Sequence, residues 1–252
     1  GTLLGGGIRL SQNGEPVYHH VGVSAFAEYC VVNRGSLVKI DKSLPFDEAA
    51  LFGCAVLTGV GAALNTAGVF PGATVGVVGL GGVGLNALLG AKVAGASQII
   101  AIDVHDDKLD IAKRLGATAT VNAKDEKAID KVKELTQGGV NFGFEMAGSV
   151  QAMELAYRIT RRGGTTVTAG LPHPEARWEL QHVNLTAEER TVKGSYVGSC
   201  VPTRDVPRYI DLYKRGMLPV DQLLSDHIKL EDINEGFDRL QSGHTVRQII
   251  MM

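Results

Sequence analysis

The chain has 252 residues and carries 25 Lys plus Arg against 27 Asp plus Glu, a formal net charge of −2. That balance leaves no basic stripe for a phosphate backbone and excludes nucleic acid as the main partner, while the length suits one large domain or two modest ones. The apolar stretches are short and broken by Gly or charge, far from the roughly 20 residues that span a bilayer, so no membrane partner is expected. Three widely spaced cysteines make no disulfide framework and argue for a reducing, cytoplasmic setting. The opening Gly1 to Gly7 (GTLLGGG) has neither the charged leader nor the apolar run of a targeting peptide; it reads either as a flexible processed terminus or as a start partway through a larger protein.

The first block, from Ile8 to Ile40, is short and strand-like, with turn signals at Asn13-Gly14 and Gly35-Ser36. Ala27 to Val32 and Ser36 to Ile40 are its best strand candidates. Pro45 opens a helical stretch with Asp47 and Glu48 in its first turn, which Gly53, Gly59 and Gly61 weaken or bend on the way to Leu64.

From Pro71 to Val197 strand and helix alternate. Strands are predicted over Thr74 to Val78, Gln98 to Val104, Thr118 to Val121, Asn141 to Met146, Thr165 to Ala169 and Thr191 to Val197. Helices are predicted over Val83 to Ala94, Asp107 to Leu115, Glu126 to Thr136 and Val150 to Thr160. Parallel strands joined by helices need crossovers that cover both faces of the sheet, and six of them match a doubly wound dinucleotide fold, the Rossmann type of α/β architecture. The last block has helices over Val206 to Arg215 and Glu231 to Gln241 and a strand at Val246 to Met251, and it reads as returning to pack against the first block.

Val77 to Gly84 (VVGLGGVG) places Gly79, Gly81 and Gly84 in G-x-G-x-x-G spacing between a predicted strand and helix. The first glycine permits a tight turn, the second lets a pyrophosphate reach bare backbone, and the third lets helix and strand pack closely. The helix beginning near Val83 aims its free amides at the phosphates. Asp103, at the tip of the next strand and 19 residues after Gly84, is placed to accept hydrogen bonds from a ribose and to repel a 2′-phosphate. NAD is therefore expected rather than NADP; the alternative role for Asp103 is a cap on the following helix. Lys108 sits one turn on, either at the ribose edge or as a solvated surface lysine. Cys54 lies in LFGCAVLTG, a glycine-flanked segment, but no C-x-x-C or H-x-x-x-H spacing accompanies it, and by itself the sequence shows no metal site.

The order LFGCAVLTGVGAA, PGATVGVVGLGGVG, IIAIDVHDDKLDIAKRLGAT, then FGFEMAGS, TVTAGLP, VKGSYVG and INEGFDRLQSGHTVRQII resembles the zinc-dependent medium-chain alcohol dehydrogenases from about Val21 to the C-terminus. The resemblance implies a catalytic-zinc ligand at Cys54 and, at Thr58, a residue beside the nicotinamide. It implies pyrophosphate contacts at Gly79, Gly81, Gly82, Val83 and Gly84, and adenosine-ribose contacts at Asp103 and Lys108. Ala147, Ala169, Leu171 and Val197 would line the nicotinamide cleft, and Arg247 would reach the pyrophosphate, although a surface charge is the plainer reading of that arginine. It also implies a domain plan: a remaining part of the catalytic domain over 1–54, a NAD-binding Rossmann domain over 55–196 inserted there, and a C-terminal return over 197–252.

The family's other catalytic zinc ligands, a Cys and a His, would precede this sequence, as would its structural-zinc lobe and proton relay. A three-ligand site cannot be made from one thiolate, so the chain is expected to be an N-terminally truncated and inactive part of an enzyme that oxidises an alcohol to an aldehyde with NAD and zinc. The alternatives are a zinc-free NAD(P)H quinone or enoyl reductase of the same superfamily, against which Asp103 and Cys54 speak, and a non-catalytic NAD(H)-binding dimerisation module. Arg177 to Leu185, with the one Trp, is expected to form an exposed strand that pairs with its twin in a homodimer or dimer of dimers.

Overall fold

The computed structural model describes residues 1–243 and 245–252. The chain begins with a small hairpin, β1 (Leu10–Gln12) and β2 (Glu15–Val17), turned at Asn13-Gly14, where both residues have positive φ. Neither of the two strands expected next forms. Residues 27–33 carry no strand assignment, and Arg34–Ser36 is a short 3-10 turn. In the first, Tyr29 and Val31 stand in solvent at 92% and 63% exposure, while Val38 and Ile40 of the second pack part-buried against the core; no described strand pairs with either segment.

The helical stretch after Pro45 forms but breaks. Helix α1 (Phe46–Ala50) and a 3-10 turn (Leu51–Gly53) precede α2 (Ala55–Gly61), which runs into a π-helical segment (Ala62–Ala67). The two halves meet at Cys54, whose φ of −143° and ψ of −74° are not helical, and the bend between them is 53°. Among the described residues no single helix is long and apolar enough to cross a membrane.

The alternating block builds one six-stranded parallel sheet. Its chain order is β3 (Thr74–Val78), α3 (Gly82–Val93), β4 (Gln98–Asp103), α4 (Asp106–Leu115), β5 (Ala119–Asn122), α5 (Ala128–Leu135), β6 (Val140–Glu145), α6 (Val150–Ile159), β7 (Thr160–Thr168), α7 (His182–Ala187) and β8 (Thr191–Gly194). The spatial order is β5-β4-β3-β6-β7-β8, so the chain works outward from β3 through β5 and then crosses back to β6. That reversal places the switch point, where ligands bind in such sheets, between the C-terminal ends of β3 and β6.

The central strands are apolar throughout because both faces are covered. Val75, Val77, Ile99, Ala101 and Phe144 face α2 and α3, while Val78, Ile100, Ile102 and Val140 face α5 and α6. β7 is longer than the expected Thr165 to Ala169: it starts at Thr160, ends at Thr168 and carries a register irregularity opposite Val140/Phe142. The Arg177–Leu185 stretch is not a strand: 177–181 is irregular and α7 begins at His182. Trp178 turns inward instead, its indole N–H donating to Glu154 at 2.9 Å and its ring lying edge-on to Tyr157. Two local partners thus hold the segment that a sheet edge was expected to claim.

The tail comprises α8 (Pro202–Lys214), β9 (Leu224–Lys229), α9 (Ile233–Gln241) and β10 (Arg247–Met251), with β9 and β10 pairing in parallel. It packs back on the first block. Tyr213 meets Phe52 edge-on at 5.9 Å, Lys214 pairs with Asp41, and Leu44, Leu51 and Phe52 share one core with Val206, Tyr209 and Ile210.

Candidate functional site

Three features converge on the C-terminal ends of β3, β4 and β6. The first is the turn between β3 and α3. Gly79 has a φ of +90°, and a Cβ there would lie 2.8 Å from the Cβ and the backbone N of Ala147, so only glycine fits both the conformation and the neighbour. At Gly84 a Cβ would stand 1.8 Å from the Gly79 carbonyl oxygen, which is the close helix-to-turn packing the spacing predicted. Gly81 is different: a Cβ there would touch nothing within 4 Å, and no side chain caps the helix it begins. The first amides of α3 have no acceptor within the helix, so an open, positively polarised backbone surface faces outward at Gly81.

The second feature is Asp103. One carboxylate oxygen accepts from the Leu80 amide at 2.6 Å and the other from the His105 amide at 3.0 Å. The side chain therefore ties the glycine turn to the tip of β4 and also supports the start of α4. It borders, with Gly79, Val104, Ala147 and Ser149, a cavity of about 460 Å³ that runs between α5 and α6.

Third comes the tail. Arg247, at the start of β10, lies directly over the glycine turn: a Cβ on Gly82 would be 2.7 Å from its Nε. Burial lowers the Arg247 pKa below its ordinary range, with the neighbouring Cys54 thiol opposing the shift, and among the described residues the guanidinium makes no ion pair. The surface-charge reading of Arg247 is thereby corrected to a partly buried cation beside the glycine turn. Lys108 is corrected likewise. It is 4% exposed, not a solvated lysine; its ammonium donates to the Thr245 carbonyl at 2.9 Å, and burial depresses its pKa against the attraction of Asp107 and Asp103. It thus anchors the chain two residues before Arg247.

Cys54 and Thr58 reach the same place through α2. The Thr58 amide donates to the Cys54 carbonyl at 2.9 Å, and Thr58 is buried while Cys54 is exposed. Gly59 lets α2 lie backbone-to-backbone on α3, since a Cβ there would stand 2.2 Å from the Val83 carbonyl oxygen. Val197, at a φ of +49°, is held beside α2 by Gly198, whose Cβ position is 2.1 Å from the Leu57 carbonyl oxygen. Ala169 and Leu171 follow β7, where Leu171 backbone atoms lie within 3.1–3.3 Å of a Cβ on Gly148. Leu171 itself is 82% exposed.

The residue that sequence reading missed is Glu145, at the end of β6. It is 1% exposed and accepts three hydrogen bonds, from the amides of Ala147 (2.8 Å) and Gly148 (2.6 Å) and the hydroxyl of Thr168 (2.7 Å). The available signal was a charge closing an otherwise apolar strand, VNFGFE.

The donor sets divide on the cofactors. For a dinucleotide the set fits: bare amides at Gly81, an unpaired guanidinium at Gly82 and a carboxylate at the adjacent strand tip. For zinc it does not, because among the described residues no three His, Cys, Asp or Glu side chains gather, and Cys54 stands without companions.

A family model described as zinc-binding dehydrogenase matches residues 82–215, more than half of the chain. The chain belongs to the zinc-binding dehydrogenase family. Among its relatives, alcohol dehydrogenase 1 of Oryza sativa subsp. indica is 38% identical over 256 aligned residues, and an alcohol dehydrogenase of Malus domestica is 40% identical; each alignment takes in 100% of this chain and 67% of the relative. The crystal structure of benzyl alcohol dehydrogenase from Acinetobacter calcoaceticus superposes with a TM-score of 0.90 at 33% identity, covering 94% of this chain and 65% of that one. A zinc-binding alcohol dehydrogenase domain protein from Burkholderia ambifaria gives 0.91 at 31% identity. The chain thus spans about two thirds of the length of these zinc-binding dehydrogenases.

Proposed function

We propose that the chain binds NAD along the C-terminal edge of its sheet and serves an NAD-dependent, zinc-type alcohol dehydrogenase that interconverts a small alcohol and its aldehyde. One observation carries this reading: the open backbone at Gly81, flanked by the unpaired Arg247 guanidinium and by Asp103. Amides of Gly79, Gly81, Gly82, Val83 and Gly84 hold the diphosphate, and Arg247 adds a planar, bidentate donor that needs an anion to justify its burial. Asp103 takes the ribose hydroxyls and opposes a 2′-phosphate, while Lys108 fixes the strand that carries Arg247. Ala147, Ala169, Leu171 and Val197, with Thr58, border the nicotinamide and keep water from it. Bound NAD supplies the hydride acceptor; the residues named here bind and orient it.

Cys54 would be one ligand of the zinc; among the described residues no three His, Cys, Asp or Glu side chains gather to complete such a site. We divide the chain at 1–54, 55–196 and 197–252, and we expect a cytoplasmic homodimer or dimer of dimers, in keeping with three free cysteines and the exposed edge strand β8. A second reading, NAD(H) binding without turnover by this chain alone, is favoured by the isolation of Cys54. Calorimetric titration with NADH and NADPH tests the first part: saturable NADH binding at least about 30-fold tighter than NADPH is expected, and equal affinity would refute the role of Asp103. Incubation with zinc, NAD and a primary alcohol separates the two readings, since zinc-dependent NADH formation would exclude the non-catalytic one.

A further inference from the structure

Glu145 is a buried carboxylate with no cation. None of the ion pairs among the described residues includes it, and all three of its partners are neutral donors. Those bonds do not require a charge. A glutamine in the same place could accept from both amides through its carbonyl and donate to Thr168 through its amide nitrogen. Burying an unpaired charge is costly, so its retention calls for a use.

Its surroundings supply one. The carboxylate lies beneath the two loops that follow β6 and β7, which are packed backbone on backbone: a Cβ on Gly170 would be 2.2 Å from the Gly148 nitrogen and 2.7 Å from the Glu145 Oε2. Those loops carry Ala147, Ala169 and Leu171, the residues assigned above to the border of the nicotinamide. An oxidised nicotinamide ring is cationic and a reduced one is neutral. We infer that Glu145 is a positioning residue whose uncompensated negative charge, acting through the loops it holds, makes the site favour oxidised over reduced cofactor. The inference rests on the NAD reading of the site. A field from a group screened by little water reaches across a loop thickness, and at the effective dielectric of a partly wet cleft it amounts to on the order of 5-fold in relative affinity.

Glu145→Gln tests this in the intact chain by calorimetry with NAD and with NADH. The ratio of the two dissociation constants is expected to rise about 5-fold, chiefly through weaker NAD binding. Thr168→Val, which removes one bond and keeps the charge, is expected to leave the ratio at the wild-type value. Should Glu145→Gln not fold, Val192→Lys carries the test, because Val192 and Glu145 line the same cavity of about 280 Å³ and a lysine there brings a counter-charge while leaving the three bonds intact. It is expected to raise the ratio likewise. An unchanged ratio in Glu145→Gln, or in Val192→Lys where that variant is used, overturns the electrostatic role and leaves Glu145 a structural tie. Absence of binding of either form to the wild-type chain would instead overturn the NAD reading, a result that the ratio measurement keeps distinct.

Discussion

Replacing Gly81 by alanine and, separately, Gly84 by alanine perturbs two positions three residues apart with opposite consequences. At Gly81 the new methyl meets nothing within 4 Å, and φ is −71°, which alanine adopts freely. The substitution loses only the helix-start preference of glycine over alanine, about 0.5–1 kcal/mol. The methyl does occupy the surface that a diphosphate must touch, so NADH affinity is expected to fall roughly 10- to 100-fold, about 1.4–2.7 kcal/mol. At Gly84 the methyl stands 1.8 Å from the Gly79 carbonyl oxygen and 3.4 Å from the Met146 Cβ. Both obstacles belong to the central turn and strand end, and no rotamer relieves a backbone overlap. Alanine gains about 1 kcal/mol in helix propensity, but the overlap forces α3 away from β3, and a net loss above about 3 kcal/mol is expected. Urea denaturation followed by circular dichroism gives the stabilities, and calorimetry gives the affinities. Wild-type NADH affinity in Gly81→Ala, or wild-type stability in Gly84→Ala, would refute the assignment of one glycine to the ligand and the other to the fold.

Asp103→Asn removes the charge and keeps an acceptor for only one of the Leu80 and His105 amides, which Asp103 binds at 2.6 and 3.0 Å through separate oxygens; stability should fall by about 1–3 kcal/mol, and the preference for NADH over NADPH should drop about 10-fold, read by competitive titration. Arg247→Ala should weaken NADH binding roughly 10- to 50-fold and flatten its salt dependence, while stability holds within about 1 kcal/mol or rises, since a partly buried cation without an ion pair is lost. Asp205 is fully buried and accepts from the Val201 amide and both arms of Arg204, and its pKa is lowered, first by the Arg204 hydrogen bond, against the opposing effect of burial. A depressed carboxylate contributes stability above its unfolded pKa and loses it as the folded group protonates. Wild-type stability should therefore decline more steeply than that of Asp205→Asn as pH falls below about 4, and parallel pH profiles would contradict the assignment.

The stretch from β3 to α4 was legible because several signals agreed there: an apolar strand, a glycine turn, an apolar helix and a charge at the next strand tip. The boundaries of β3 were those the sequence indicated, and those of β4 and α4 differ by one residue. Residues 27–40 misled because alternation of apolar side chains predicts a strand only where a partner exists, and here Tyr29 and Val31 face solvent. Strand β9 went unseen since LSDHIK buries one apolar side chain, Ile228, and its pairing with β10 is a tertiary event. Lys108 illustrates the same limit at the site, for its burial depends on the carbonyl of Thr245, 137 residues away. Glu145 was legible as a residue but not as a buried group, because the loops that enclose it come from two strands.

The account turns on whether backbone amides at the start of α3 hold the diphosphate. The most direct measurement is the amide NMR spectrum of the ¹⁵N-labelled chain during NADH titration. The account predicts large, saturable shifts at the amides of Gly81, Gly82, Val83 and Gly84, with a companion shift at Leu80 as Asp103 turns toward the ribose. Saturating NADH that leaves those amides unmoved would contradict it.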